Sequence, residues 1–405
     1  MTDILVIKLG GSVLRDAPSI KKAASMIKGV VQQGHSPVIV VSALKGITDS
    51  LIDTVKKTNP NFSPQEMDEV LSMGERTSAR IFAVALSAEG LKPAVIDPAA
   101  ESWPIITDDS FTDANPLMDE TRKRAQEKLL PLIHDGLVPI VCGFVGRTKG
   151  GKITTLGRGG SDTTAVILGS TLAAKEVILI KDVDNVFSSD PDTVERPVRI
   201  DNLDSEEAFA LSLGGAKFLH AKALQYKAQG VRIRIASLEN DPFGGTIIDG
   251  GSLDWRVESS VVPSSMITII GVKLSDAKVI GKIIDAVRAN GAELTSLGLD
   301  QKSLVLYVNG GEDLGNKLHS AIVGEGMAKA ISTVNNLSML SVKGSAMETR
   351  PGMIQRITQP LARAGINVYG LATISSSINV FIKKEQDDEA VSLVRDSLML
   401  SREGK

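Results

Sequence analysis

Short apolar runs rich in β-branched residues recur along the first part of the chain, at 4–7, 38–41, 94–96, 139–142 and 177–180. Between most of them lie amphipathic stretches, 19–33, 65–86 and 119–134, with apolar positions three and four apart. Wholly apolar strands alternating with helices predict an α/β fold whose mainly parallel sheet is covered by helices on both faces. Ligands are then expected at the carboxyl ends of the strands. This first domain is predicted to span 1–248, and the Gly- and Ser-containing residues 249–265 read as a linker.

Beyond the linker the pattern repeats. Residues 279–308 align without gaps onto 353–382 at a constant offset of 74, matching Ile280 with Ile354, Ile283 with Ile357, Val287 with Leu361, Gly291 with Gly365 and Ser303 with Ser377. Each copy reads strand, helix, strand, strand, followed by a further helix at 314–323 or 387–398. Two α+β modules of the βαββαβ kind are predicted, at 266–335 and 336–405. Such a duplicated module beside an α/β domain fits a sensor, with a dimerisation scaffold as the simpler alternative.

Composition narrows the function. The 405 residues are 42% hydrophobic and carry a formal net charge of −3, which disfavours nucleic-acid binding and allows two or three globular cores. No apolar run approaches bilayer length, and the lone Cys142 with no charged-then-apolar leader points to a reducing, cytoplasmic setting. The four histidines show no ligand spacing, so no protein-built metal site is expected.

Candidate chemistry gathers at strand ends. Lys8-Leu9-Gly10-Gly11-Ser12 puts a cation and two glycines after the first strand, as a phosphate cradle would. Gly157-Arg158-Gly159-Gly160-Ser161-Asp162 reads as a glycine turn feeding a helix, a second place for an anion, with Ser161 and Asp162 at capping positions. Residues 146–153 approach a P-loop, but Ile153 stands where a hydroxyl is required, and the segment reads as a hairpin turn. Gly74-Glu75-Arg76 places a glycine and paired charges inside a helical pattern, where Glu75 can face a ligand ammonium or simply solvent. Lys181-Asp182-Val183-Asp184 ends another strand, and Lys217 follows Gly214-Gly215-Ala216.

These motifs, in this order and over essentially the whole chain, resemble the aspartate kinases of the amino-acid kinase family, which carry two C-terminal ACT domains. Val41 to Thr48 and Gly143 to Arg147 belong to the same resemblance. It implies ATP and Mg²⁺ as cofactors and L-aspartate as substrate. Lys8 would contact the transferred phosphate, with Asp162 orienting it, and Gly10, Gly11 and Ser12 would cradle it beside Gly159 and Gly160. Thr48, Glu75, Arg158 and Ser161 would hold aspartate, and Lys181, Asp182, Phe187, Asp190, Asp192 and Lys217 would line the nucleotide site. The chain departs from the family at Leu9, Lys181, Phe187 and Asp192, where an aromatic residue, threonine, tyrosine and arginine are usual. Lys181 is then expected to supply the cation that Asp192 removes.

The resemblance further implies a homodimer or higher homo-oligomer through the ACT modules, with lysine, threonine or methionine as candidate effectors. The first repeat has Ser275-Asp276-Ala277-Lys278-Val279 where the second has Thr349-Arg350-Pro351-Gly352-Met353, so the first lacks the Pro-Gly pair. Two rival readings are a sister kinase acting on glutamate and a catalytically silent amino-acid-binding regulator. Retention of Lys8 and Asp162 speaks against the second.

Overall fold

The computed structural model describes residues 3–190, 193–251, 253–271, 277–300, 302–310, 313–344, 347, 351–374 and 377–399. Asp192 and parts of the two repeat-initial turns, 275–276 and 349–350, lie outside the described residues. The chain divides into two compact units, Met1–Leu253 and Asp254–Lys405.

The first unit begins with β1 (Ile4–Leu9), α1 (Ala17–Gln32), β2 (Ser36–Val41), α2 (Ile47–Thr58), α3 (Pro64–Ala88) and β3 (Pro93–Ile96). It continues through β4 (Ile106–Thr107), α4 (Met118–His134), β5 (Val138–Cys142), β6 (Val145–Thr148), β7 (Ile153–Thr155), α5 (Gly160–Thr171) and β8 (Glu176–Lys181). It ends with β9 (Val186–Phe187), β10 (Arg199–Ile200), β11 (Asn202–Leu203), α6 (Ser205–Leu213), α7 (Ala221–Leu224), β12 (Arg232–Ser237) and β13 (Thr246–Ile248). Eight strands form one sheet in the order β11-β13-β12-β8-β1-β2-β5-β3, parallel throughout except where β12 meets β13.

β1 is central, and five of its six residues are buried because helices cover both faces; α1 packs with α3 and α4 with α5. Leu5, Ile7, Ile39, Ile178 and Ile233 fill that core. Strand order reverses around β1, so its carboxyl end opens where the neighbouring connections diverge, the expected place for a ligand. The segment with the imperfect P-loop pattern is a hairpin: β6 and β7 pair antiparallel, and Thr148 N–H donates to the Lys152 carbonyl at 2.8 Å.

The second unit contains β14 (Arg256–Ser259), β15 (Ser264–Ile270), α8 (Ala277–Ala289), β16 (Glu293–Leu299), β17 (Ser303–Asn309) and α9 (Leu314–Leu318), which continues as a π-helical turn to Val323. It closes with β18 (Ala330–Lys343), α10 (Met353–Arg363), β19 (Gly370–Ile374), β20 (Ser377–Lys383) and α11 (Asp387–Met399). The repeat holds at the level of packing. Val279, Ile283 and Val287 of α8 enter one core, and Met353, Ile357 and Leu361 of α10 enter another. Gly291 and Gly365 both stop their helices with positive φ, 70° and 72°, which glycine adopts without strain.

The linker expectation differs from the structure. Within 249–265, β14 pairs antiparallel with β18 and buries Val257 in the second module's core, and β15 starts at Ser264. The second module thus takes its remaining strand from upstream of the first, because no strand follows α11 among the described residues. The expected border between 335 and 336 falls inside β18, whose start pairs with β15 and whose end pairs with β20 and β14. Its polar middle, Asn335-Asn336, mimics a break in the sequence. Asn336 takes φ 58° where the register shifts, so the strand is bent there and not interrupted.

Among the described residues no helix is long and apolar enough to cross a membrane. One buried ion pair ties the main sheet together: Arg234 of β12 meets Glu176 of β8 through Nη2 at 2.8 Å and Nε at 2.9 Å. Arg234→Met strands the buried carboxylate and is expected to cost about 3–5 kcal/mol. The check is the urea midpoint of unfolding. A shift no larger than that of an exposed Arg→Met control would refute it.

Candidate active site

A cavity of about 820 Å³ lies at the carboxyl ends of β1, β2 and β7 and at the start of α5. Its floor is Lys8, the penultimate residue of β1, which is only 7% exposed. Lys8 Nζ lies 2.8 Å from Asp162 Oδ1, and Lys181 Nζ, at the end of β8, donates to Asp162 Oδ2 at 2.7 Å. Parallel pairing of β1 with β8 brings both lysines to the same edge of the sheet. Burial opposes ionisation of Asp162, but the two ammonium groups outweigh it and hold its carboxyl well below the usual range. Burial likewise lowers the Lys8 ammonium, with the Lys181 charge adding to the effect and Asp162 opposing it.

The glycines act by allowing close approach. A Cβ on Gly11 would stand 2.7 Å from the Ala43 carbonyl oxygen, and one on Gly10 would stand 3.3 Å from Lys8 Nζ. Both positions keep the β1–α1 turn against the floor, with Ser12 exposed on the cavity wall. Gly159 has φ 69° and caps α5 without a side-chain bond; Gly160 packs against Phe144. Capping by Ser161 or Asp162 is therefore not what occurs. Ser161 lines the cavity, and the Asp162 oxygens face the lysines.

α3 runs unbroken through Gly74. A Cβ there would come 2.9 Å from the Ala43 Cβ, so the glycine lets α3 press against the β2–α2 loop. That contact carries Glu75 inside. It is 3% exposed, accepts the Ala43 N–H at 3.1 Å through Oε1, and its buried Oε2 has no hydrogen-bond partner among the described residues. Burial pushes its carboxyl up to about 7, with the Ala43 bond pulling the other way. The neighbouring Arg76 turns outward to Asp97, at 3.1 Å.

Across the cavity Arg158 is exposed on the glycine turn, with no hydrogen bond or ion pair among the described residues. Thr48, in the first turn of α2, lines the same space. The structure thus gathers Lys8, Gly11, Ser12, Thr48, Glu75, Arg158, Gly159, Gly160, Ser161 and Asp162 around one cavity. Gly10, Lys181, Asp182, Phe187, Asp190 and Lys217 do not line it, although Lys181 reaches Asp162. Asp182 and Asp190 are exposed, Phe187 is half-buried in the β9–β10 pair, and Lys217 is exposed in the turn after α6.

Two residues of the site escaped the sequence reading. Asp68, on α3, is fully buried and accepts from Thr112 and Thr155, both on the cavity wall. Lys222 bonds to Asp113 and to the carbonyls of Ala114 and Leu156 behind that wall. The available signal for Asp68 was its spacing: seven residues before Glu75, it shares that residue's helix face.

Residues 3–237 match the model of the amino acid kinase family, and residues 332–396 match an ACT domain model. The chain is 30% identical to an aspartokinase of Mycolicibacterium smegmatis, over 98% of this chain and 96% of that one. It is 29% identical to an aspartate kinase of Stutzerimonas stutzeri, over 98% and 97%. Among solved structures, aspartate kinase from Synechocystis superposes with a TM-score of 0.81 at 23% identity, covering 98% of this chain and 69% of that one. The E. coli aspartokinase III complex with aspartate and ADP gives 0.56 at 21% identity, covering 98% and 100%. With its kinase-family match spanning more than half the chain and a full-length aspartokinase relative at 30% identity, this chain belongs to the amino acid kinase family, in its aspartokinase branch.

Proposed function

We propose that the protein is an ATP-dependent aspartate kinase that transfers the γ-phosphoryl group of ATP to the side-chain carboxylate of L-aspartate, giving 4-phospho-L-aspartate and ADP. The observation that carries this reading is the buried Lys8–Asp162 pair at the floor of a cavity walled by Glu75 and Arg158, with the half-buried Lys181 bonded to the same aspartate from outside the cavity lining. A side-chain carboxylate, with a reference pKa of about 3.9, is already ionised at neutral pH, so the nucleophile needs no general base. Its oxygen forms the new bond to the γ-phosphorus. The bond from that phosphorus to the β,γ-bridging oxygen breaks, leaving the electron pair on ADP. No proton moves.

What must be overcome is repulsion between a carboxylate and a polyphosphate. Two lysines sharing one aspartate leave a net positive charge, with Lys8 and Asp162 shielded from water, beside where the transferred group would pass. Lys181 stands where threonine is usual in the family, so this chain carries one more cation at that spot. Arg158 offers a planar fork to the α-carboxylate, and Glu75 offers its unpartnered oxygen to the α-ammonium. Together they select an amino acid over a plain diacid.

The donor set fits Mg²⁺ carried by nucleotide phosphates and water, since Asp162 is occupied by two lysines and Asp182, exposed just past β8, is the carboxylate at that strand end. When bound, the ion would neutralise phosphate charge. Asp182, Phe187, Asp190, Asp192 and Lys217 remain the proposed nucleotide contacts. Pairing of ACT modules between two copies, with an amino-acid effector at their shared edge, completes the proposal. It is supported by the outer positions of β16 and β19 in the second unit's sheet.

Lys8→Ala and Asp162→Ala are each expected to lower kcat by roughly 10²–10³-fold, as loss of a preorganised charge does. Arg158→Ala is expected to raise the KM for aspartate by about tenfold or more while leaving the KM for ATP near its original value. Lys181→Thr should weaken ATP use and spare aspartate saturation. Steady-state kinetics in both substrates reads these outcomes; an Arg158→Ala enzyme with unaltered aspartate saturation would remove Arg158 from the substrate site.

Glu75 adds a pH prediction. With its folded pKa raised to about 7 from 4.5, it binds its proton more tightly folded than unfolded. Its contribution to stability is therefore fully present below about pH 4.5 and is lost as pH rises through about 7. Binding has the opposite need, because an ammonium requires the ionised form. The KM for aspartate should rise as pH falls below 7, and Glu75→Gln should raise KM and flatten both profiles. Thermal melts and kinetics from pH 5 to 8 check this, and an unflattened Glu75→Gln profile would contradict it.

A further inference from the structure

Asp68 is a fully buried carboxylate that neither the phosphate-binding cluster nor the aspartate-binding residues account for. Its Oδ2 accepts the backbone N–H groups of Thr112 at 2.9 Å and Thr155 at 3.0 Å, and its Oδ1 accepts the Thr155 hydroxyl at 2.7 Å. All three partners are neutral donors. Burial pushes its carboxyl upward, against the pull of these bonds. A carboxylate buried at that cost for three hydrogen bonds acts as a geometric constraint, since an apolar side chain would fill the space more cheaply.

What it constrains is the cavity wall. Thr112 and Thr155 both line the cavity, and Thr112 holds a φ of 71°, a left-handed conformation that strains a non-glycine residue. Thr155 ends β7, three residues before Arg158. Its carbonyl accepts the Ala114 N–H at 2.8 Å, so the two segments of wall are bound to each other as well as to α3. From behind, Lys222 Nζ holds Asp113 at 2.6 Å and the Leu156 carbonyl at 2.8 Å. The helix that carries Asp68 carries Glu75 two turns later.

We infer that Asp68 is a positioning residue for the amino-acid substrate: by tying α3 to Thr112 and Thr155 it fixes the separation between Glu75 and the Arg158 turn. This rests on the aspartate kinase reading, in which those two residues grip opposite ends of the amino-acid backbone. Its consequence is a split in kinetics. The phosphate-binding cluster hangs on β1, β8 and α5 and is not held by Asp68.

The test uses the full chain with Asp68→Asn, Thr155→Val and Thr155→Ser. An asparagine keeps one acceptor oxygen and turns an NH₂ toward a donor, so it breaks the clamp with little change in volume. Asp68→Asn is expected to raise the KM for aspartate about tenfold, with the KM for ATP changed less than about twofold. Thr155→Val should reproduce part of the effect, Thr155→Ser should retain wild-type behaviour, and Asp68→Asn with Thr155→Val should be less than additive. Amide hydrogen exchange at Thr112 and Thr155 should quicken in Asp68→Asn while β1 amides such as Ile7 keep their protection. If Asp68→Asn does not fold, Thr155→Val against Thr155→Ser reads the same split.

A folded Asp68→Asn enzyme with unchanged aspartate KM, or with both KM values rising together and exchange quickened throughout the unit, would overturn the inference. A wild-type enzyme with no aspartate-dependent turnover would overturn the kinase reading and this inference with it.

Discussion

The interaction on which the site depends is the sharing of one carboxylate by two ammonium groups at the floor of the cavity. Asp162 is almost excluded from water, and so is Lys8. Neither would stay charged there alone, because the desolvation of an isolated ion is prohibitive. Together with the half-buried Lys181 they form a small array of two ammonium groups and one carboxylate, whose net charge is positive. The rest of the first unit serves this arrangement. A parallel sheet delivers Lys8 and Lys181 side by side, and a glycine turn starts α5 so that its third residue reaches both.

In the proposed reaction the array concentrates positive charge where the two anions would meet, and selection among acceptors would fall to the walls. Glu75 and Arg158 sit on separate elements, a long helix and a tight turn. A substrate held by both must match their spacing. On that reading the packing behind them would be part of recognition: Gly74 sets how closely α3 approaches the loop at Ala43, and Asp68 ties the same helix to the opposite wall.

Local chemistry was the legible part of the sequence. Apolar runs marked the central strands because strands buried on both faces leave no polar alternation, and the glycine pairs marked the turns because only glycine fits there. The 74-residue offset exposed the duplicated module, since identical helix spacing fills identical cores. What stayed hidden was long-range. Asp68 meets Thr155 across 87 residues of chain and Lys222 meets Asp113 across 109, and no local pattern reports such partners. The strand at 256–259 looked like linker because its partner, β18, lies far downstream. Lys181 reads in the sequence as the cation replacing an arginine at 192, and its bond to the aspartate that also holds Lys8 was not legible.

The most direct test of the account is acyl-phosphate formation by the purified full-length protein with Mg²⁺-ATP, trapping the product with hydroxylamine and following ADP release in parallel. L-aspartate, L-glutamate, succinate and no acceptor are compared. The account predicts hydroxamate and ADP in equal amounts with L-aspartate, and little above background with succinate, which lacks the ammonium that Glu75 would bind. Equal turnover with succinate would contradict the role given to Glu75, and silence with aspartate alongside turnover of glutamate would contradict the substrate assignment itself.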